Sequence, residues 1–343
     1  MSGFSVYGSA AGRYAAEVNI RKIYDECAAK TMVPDVLTAT SGFCGRYAPY
    51  GEDENGAVIV TSTDGVGSKL KLAGLMNKND LIGIDCVALT ANDVVSSGAR
   101  PIFFSNYLSM GKRKPELIEE ILNGIAEGCT RAGCSLLAGE ISDNPGTYSN
   151  DEYDLAGFCV GVAERKNIID CSQVKKGDAL VALGSSGLHS DGYASAMRIL
   201  RVTENNIRIY LNDLGKTLGE ELMTPSKIYV KSVLRLLETC RPNGIANITG
   251  GGLYHNVPRI IPEGLCAHIS RARLRVPPIY SVIRSMNNVD DGEMFRTFNM
   301  GVGMMLAVSA DKADETVSLM SSFGEEAYII GEVTENENKI EIE

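Results

Sequence analysis

The apolar run AVIVTST at 57–63 stops at Asp64-Gly65-Val66-Gly67, and SKLKLAGLMN at 68–77 resumes with a helical period. A buried strand, a tight turn and a helix in direct succession restrict this part of the chain to a mixed α/β or α+β architecture. Gly65 and Gly67 permit the turn and let backbone approach an anion, and the following helix start adds positive potential. Asp64 repels a bare phosphate but suits a Mg2+ ion that phosphates share, and Lys69 follows at the start of the helix. The segment is not a Walker A loop, which needs GxxxxGK[ST]. A strand–turn–helix with a capping Asp is the alternative reading.

With 343 residues the chain exceeds what one hydrophobic core serves, so two domains are expected. Residues 1–56 read as an irregular lead-in, with spacing compatible with one helix over 14–30. Further strands are expected at 101–110, 134–140 and 153–164, with helices at 84–99 and 114–133, the latter opened by Pro115 and closed by Gly133. The polar stretch RKNIIDCSQVKKGD at 165–178 marks a boundary, giving domains 1–165 and 166–343. The second half restarts with a strand at 179–186. It continues with helices at 191–202 and 226–240, strands before Gly250 and near 265–270, a strand at 301–309, a helix around 311–322 and a strand at 327–333.

A formal charge of −10 argues against a nucleic-acid partner. No stretch approaches the ~20 apolar residues of a membrane span, and the first residues lack the pattern of a signal peptide, so a cytoplasmic protein is expected. Nine cysteines without a Cys-x-x-Cys pair read as reduced thiols, with Cys44 expected to be the exposed exception. Only three histidines are present, which disfavours a zinc site or a nucleophilic triad.

Five further clusters combine glycine with acid or hydroxyl groups. Asn92-Asp93 sits in an apolar helix, where Asp93 is either a solvated face or a second carboxylate for the metal of Asp64. LLAGE places Glu140 at a strand end, a common ligand position in α/β proteins, or simply a surface acid. GSSGLHSDGY at 184–193 offers Ser185, Ser186, His189 and Ser190 to a phosphate monoester, or merely caps a helix. NITGGGLYHNVPR at 247–259 holds three consecutive glycines, suited to close approach of a ligand or to a sharp bend. EMFRTFNMGVGMM at 293–305 carries Arg296 and Asn299 before a glycine-rich strand and reads as structural.

TDGVGSK, GIDCVALTANDVVSSGARPIFF, GIAEGCTRAGCSLLAGE, PGTY, YDLAGFCVGV, GSSGLHSDGY, PSKIYVKSVL, ITGGGLYHNVPR and EMFRTFNMGVGM occur in this order. The chain thereby resembles the aminoimidazole ribonucleotide synthetases, or phosphoribosylformylglycinamidine cyclo-ligases, over nearly its whole length. The resemblance implies an N-terminal α/β domain for ATP binding and dimerisation and a C-terminal α+β domain contributing to the substrate cleft. It implies a homodimer in which N-domain strands of both subunits form a barrel. ATP and Mg2+ are implied as cofactors, with metal contacts at Asp64, Asp93 and Glu140, and nucleotide contacts also at Gly65, Gly67, Lys69 and Asn92. Lys69, Asp93 and His189 are implied as catalytic. Ser185, Ser186, His189, Ser190, Asn247, Thr249 and Gly250 are implied for a phosphorylated small-molecule substrate. The implied reaction transfers the γ-phosphoryl group of ATP to the formyl oxygen of formylglycinamidine ribonucleotide; an amidine nitrogen then attacks and phosphate leaves. A sibling activity, such as phosphorylation of thiamine phosphate, and a non-catalytic nucleotide-binding scaffold are the alternatives. Asp191 stands where the family usually has Asn, and Asn247 where it usually has His.

Overall fold

A computed structural model describes residues 20, 22–37, 43–51, 53–287 and 289–343. The first sheet has the order β1-β2-β5-β3-β4, made of β1 (Gly45–Tyr47), β2 (Ala57–Gly65), β3 (Arg100–Met110), β4 (Ser135–Asp143) and β5 (Tyr153–Glu164). Its pairs are antiparallel except β3 with β4, which run parallel. The lead-in is therefore not wholly irregular: β1 lies within it, and residues 22–28 are helical. Residues 14–19 and 21 of the expected first helix, and 41–42 of the SGFCG loop, lie outside the described residues.

Three helices accompany this sheet: α1 (Lys69–Met76), α2 (Asp80–Ser96) and α3 (Pro115–Ala132). Helix α2 is buried on almost every side, because its sequence from Ile82 to Ser96 is nearly continuous in apolar and small residues. It approaches α3 backbone to backbone. A Cβ at Gly124 would sit 1.8 Å from the Asp80 carbonyl oxygen, so only glycine permits the contact. Gly133 ends α3 in the left-handed region, and the Cys134 N–H returns to the Cys129 carbonyl at 3.0 Å, a Schellman closure.

The second sheet has the order β13-β10-β12-β6-β11-β9. Its members are β6 (Ala179–Gly184), β9 (Gly244–Asn247), β10 (Leu265–Ile269), β11 (Val302–Val308), β12 (Ala327–Glu335) and β13 (Ile340–Ile342). Strands β6, β9 and β11 are buried throughout. A two-stranded ribbon, β7 (Tyr210–Leu211) with β8 (Lys216–Thr217), stands apart. The helices are α4 (Tyr193–Ile199), α5 (Leu218–Leu222), α6 (Val230–Leu237), α7 (Gly252–Asn256), α8 (Pro278–Asn287), α9 (Asp291–Thr297) and α10 (Ala313–Ser322). The expected helices at 191–202 and 226–240 are shorter because their first residues form loop contacts described below. No helix among the described residues is long and apolar enough to cross a membrane.

Cys44 is buried at 7% exposure, so the expected exposed exception is corrected: Cys27 is the exposed thiol. Cys44 lies in the turn into β1, and its side chain joins the core beneath the sheet.

Candidate active site

The turn after β2 opens a cleft of about 800 Å³ between the two sheets. Gly65, Gly67 and Ser68 form one side, Ser190 and Gly192 another, and Gly251, Tyr254, Arg296, Thr297 and Lys339 complete the wall. Gly67 has φ +67°, which lets the turn stay open beside the cleft.

The strand period of two places Ser62 and Asp64 on the face of β2 that looks toward α2. Ser62 Oγ donates to Asp93 Oδ2 at 3.0 Å, and Asn247 Nδ2 donates to Asp93 Oδ1 at 2.9 Å. Burial pushes the Asp93 carboxyl up to about 7, with Asp64 adding repulsion and Asn247, Arg259 and Ser62 opposing it. Asp64 reaches solvent at the strand end, yet desolvation by the surrounding protein raises its carboxyl too, opposed by the Gly65 N–H. Asp191 joins this group. Burial, then repulsion from Asp64 and Asp93, holds its carboxyl well above the usual range, and its Oδ2 is buried with no hydrogen-bond partner among the described residues.

Glu140 is not brought to these carboxylates. Across the sheet, Gly65, Ala156, Tyr107 and Glu140 lie in one row, and Asp64, Gly157, Asn106 and Gly139 in the next. Laterally paired residues share a face and successive residues alternate, so Glu140 projects from the face opposite Asp64. The expected Asp64–Asp93–Glu140 set is thus not assembled within one chain, and no group of three potential ligands is placed for a metal among the described residues. The Glu140 face also carries exposed Ile59, Tyr107 and Phe158.

Lys69 and Asn92 do different work from a phosphate contact. Lys69 is fully buried, its Nζ 2.7 Å from Asp85 Oδ2 and donating to the Thr224 carbonyl at 2.8 Å. Desolvation lowers its pKa, opposed by Asp85. Asp85 Oδ1 in turn accepts from the Ser226 N–H and hydroxyl. Asn92 donates to the Lys227 carbonyl and accepts from the Tyr229 N–H. Residues 85, 92 and 93 share one helical face, as their spacings of seven and eight require, and together they key α2 to the segment 224–229 and to β9. That segment, TPSKIY, had no role assigned from sequence, although PSKIYVKSVL is one of the motifs that carry the family resemblance.

The loop after β6 is likewise largely committed. Ser185 Oγ donates to Asn299 Oδ1, Ser186 Oγ to the Pro225 carbonyl, and Thr249 Oγ1 to Asn256 Oδ1. His189 Nε2 accepts from the Ser186 N–H at 2.9 Å and the Lys227 N–H at 3.3 Å. Burial first, then Lys69 and Lys227, pushes its pKa down to about 3. This geometry makes His189 a neutral acceptor that fixes two loops, at variance with the expected proton carrier. The glycine-rich start of β11 has its reason here: a Cβ on Gly303 would lie 2.0 Å from the Tyr229 hydroxyl. Ser190 and Gly251 do line the cleft, and Gly250 packs beside Asp191. Tyr254 and Lys339 are wall residues that sequence reasoning missed, and Arg296 was read only as structural.

Two linked sheets with a cleft between them define a class already seen in solved structures. Thiamine-monophosphate kinase from Stenotrophomonas maltophilia K279a superposes with a TM-score of 0.65 at 18% identity, over 92% of this chain and 93% of that one. The hydrogenase maturation protein HypE of E. coli does so with a TM-score of 0.60 at 22% identity, over 83% and 82%. At such identities the likeness is one of fold. Residues 51–163 match the AIR synthase related protein, N-terminal domain, and residues 175–343 the corresponding C-terminal domain. The chain is 46% identical over 313 residues to the phosphoribosylformylglycinamidine cyclo-ligase of Acetivibrio thermocellus, covering 91% of this chain and 92% of the relative. It is 43% identical over 338 residues to that of Pseudothermotoga lettingae, covering 98% and 99%. The chain belongs to the AIR synthase related family.

Proposed function

We propose that this protein is a phosphoribosylformylglycinamidine cyclo-ligase, closing the imidazole ring of aminoimidazole ribonucleotide at the expense of ATP in purine biosynthesis. The observation that carries the reading is end-to-end similarity to cyclo-ligases, 43% over 338 residues, on a chain whose two sheets share one cleft. In this reading residues 1–165 bind the nucleotide and residues 166–343 help enclose the substrate. The amide oxygen of the substrate is a poor leaving group, and its phosphorylation makes the carbon attackable by the amidine nitrogen. Such transfers depend mainly on positioning and on charge neutralisation.

Mg2+ fits the donor set. Asp64 adds to the burial that raises the Asp93 carboxyl, Asp64 and Asp93 add to that of Asp191, and Asp191 Oδ2 is buried with no hydrogen-bond partner among the described residues. Asp64 and Asp93 would hold the ion, which supplies neutralisation of phosphate charge when bound. Ser62 and Asn247 fix both oxygens of Asp93. The Gly65–Ser68 turn leaves backbone open to the cleft for phosphate oxygens.

A homodimer is part of the same reading. β4 is an edge strand, and the sheet face that bears Ile59, Tyr107 and Phe158 is open. Pairing that face with a second copy would close the shared barrel and place Glu140 at the junction.

The test is to incubate the enzyme with Mg2+, ATP and formylglycinamidine ribonucleotide and to assay the aminoimidazole product and phosphate. Phosphorylation of thiamine phosphate without aminoimidazole formation would overturn the assignment. ATP consumption that never exceeds one equivalent per site would leave only a nucleotide-binding scaffold.

A further inference from the structure

Asp64, Asp93 and Asp191 gather beside the Gly65 turn, where Ser62 and Asn247 hold Asp93 and Asp191 packs against Gly250. A phosphate monoester carries close to two negative charges near neutral pH and calls for cationic and hydroxyl donors of its own. Arg296 and Lys339 lie on the wall contributed by the second sheet and its helices, with Glu337 the only carboxylate among the lining residues.

Arg296 is placed to receive an anion. Its guanidinium lies over the Tyr254 ring, 4.7 Å from the centroid. Stacking uses the flat face of the group and leaves its N–H edge open. Neighbouring arginines are differently employed: Arg271 and Arg284 pair with Asp291, and Arg275 with Glu326. Among the described residues Arg296 has no carboxylate within salt-bridge distance. Lys339 Nζ donates to the Ile261 carbonyl at 2.5 Å, which uses one of its three donors. Thr297 adds an independent sign. It is only 7% exposed and lines the cleft, and its Oγ1 is buried with no hydrogen-bond partner among the described residues. A buried hydroxyl left unpaired costs free energy, and a ligand oxygen would remove that cost.

From these observations we infer that Arg296, Thr297 and Lys339 form the subsite for the 5′-phosphate of the substrate, on the cleft wall contributed by the second half of the chain. The inference rests on the cyclo-ligase reading for the identity of the substrate, but the site itself is defined by its preference for a phosphate monoester. It also reassigns the anchor of the substrate phosphate. The hydroxyls of Ser185 and Ser186 are bonded to Asn299 and Pro225, whereas the Arg296 edge and the Thr297 hydroxyl remain open.

The decisive experiment compares Arg296→Gln and Thr297→Val with the wild type on formylglycinamidine ribonucleotide and on its dephosphorylated riboside. Arg296→Gln is expected to raise KM for the ribonucleotide about 10- to 100-fold, the scale of one charged hydrogen-bonded contact, with KM for ATP unchanged. On the riboside, wild type and variant should behave alike. Thr297→Val should raise the ribonucleotide KM several-fold while its melting temperature stays level or rises, since it removes an unpaired hydroxyl. An unchanged ribonucleotide KM in Arg296→Gln, or an equal penalty on the riboside, overturns the subsite and leaves the cyclo-ligase reading intact. Calorimetry with ribose 5-phosphate separates the opposite failure. Binding that is lost in Arg296→Gln, in a protein that makes no aminoimidazole product, upholds the subsite and rejects the reaction.

Discussion

Asn247, on a strand of the second sheet, donates to Asp93, on a helix packed against the first, at 2.9 Å. The amide cannot carry a proton, so it can only orient the carboxylate, and it does so for a group that burial pushes up to about 7. The folded pKa lies above the unfolded value of about 3.9, so the folded state retains a proton between them. The contribution of Asp93 to stability is therefore most favourable below about pH 4 and declines as the pH rises toward 7. Asp93→Asn should raise the melting temperature by about 2–4 °C at pH 8 and by nothing at pH 4, while lowering turnover about 100-fold. Melting curves across this range check it; a shift independent of pH would count against the buried carboxylate as its source.

The Lys69–Asp85 pair is fully buried and joins the two halves of the chain. Removing one partner of such a pair strands the other charge, at a cost of about 3–5 kcal/mol. Lys69→Met should lose stability on that scale, and Lys69→Met/Asp85→Asn should recover part of the loss, since Asn still accepts from Ser226. Additive losses in urea titrations would show that the two side chains do not act as a pair.

His189 offers a sharper choice. As a general acid or base its loss would lower turnover by about 10²–10⁴-fold. As a neutral acceptor it is replaceable by Gln, which retains an oxygen for the Ser186 and Lys227 N–H groups. His189→Gln is expected to keep turnover within about fivefold of wild type, well short of that loss. Its folded pKa of about 3 is depressed, so its stabilisation is fully present above about pH 6.5 and is lost as the pH falls toward 3. A turnover loss of 100-fold or more in a well-folded variant would restore the proton carrier.

Among the cysteines, Cys27 is exposed and Cys44 buried. Native thiol titration should show a fast phase that disappears in Cys27→Ser and persists in Cys44→Ser. Loss of the fast phase in the Cys44 variant instead would contradict the burial.

Much of the fold was legible because its cues are local. YDLAGFCVGVAE alternates between the two sheet faces and forms β5 over the span expected, and Pro115 and Gly133 bracket α3 as their backbone preferences require. The helices Pro278–Asn287 and Asp291–Thr297 escaped notice because short segments with mixed polarity carry little periodic signal. The site was half legible. Asp93 and Asn247 were singled out and do meet, with Asp64 near enough to repel Asp93, but the opposite facing of Glu140 follows from strand register, which no single segment encodes. Lys69 looked like a phosphate ligand because its counter-charge, Asp85, is sixteen residues away and its other partner, Thr224, is 155 away. Lys339 reaches the cleft because β13 docks beside β10, a pairing of Ala267 with Ile340 that no local pattern encodes.

The keying of α2 to residues 224–229 constrains how relatives of this protein can be recombined. A hybrid that joins the first half of one relative to the second half of another inherits Asp85 and Asn92 from one parent, and the backbone they grip from the other. Its crossover would fall at a polar linker that looks permissive, while the incompatibility would lie far from it on both sides, between residues 85–92 and residues 224–229. For this fold, the exchangeable module is one helix together with the loop it holds, and neither domain alone.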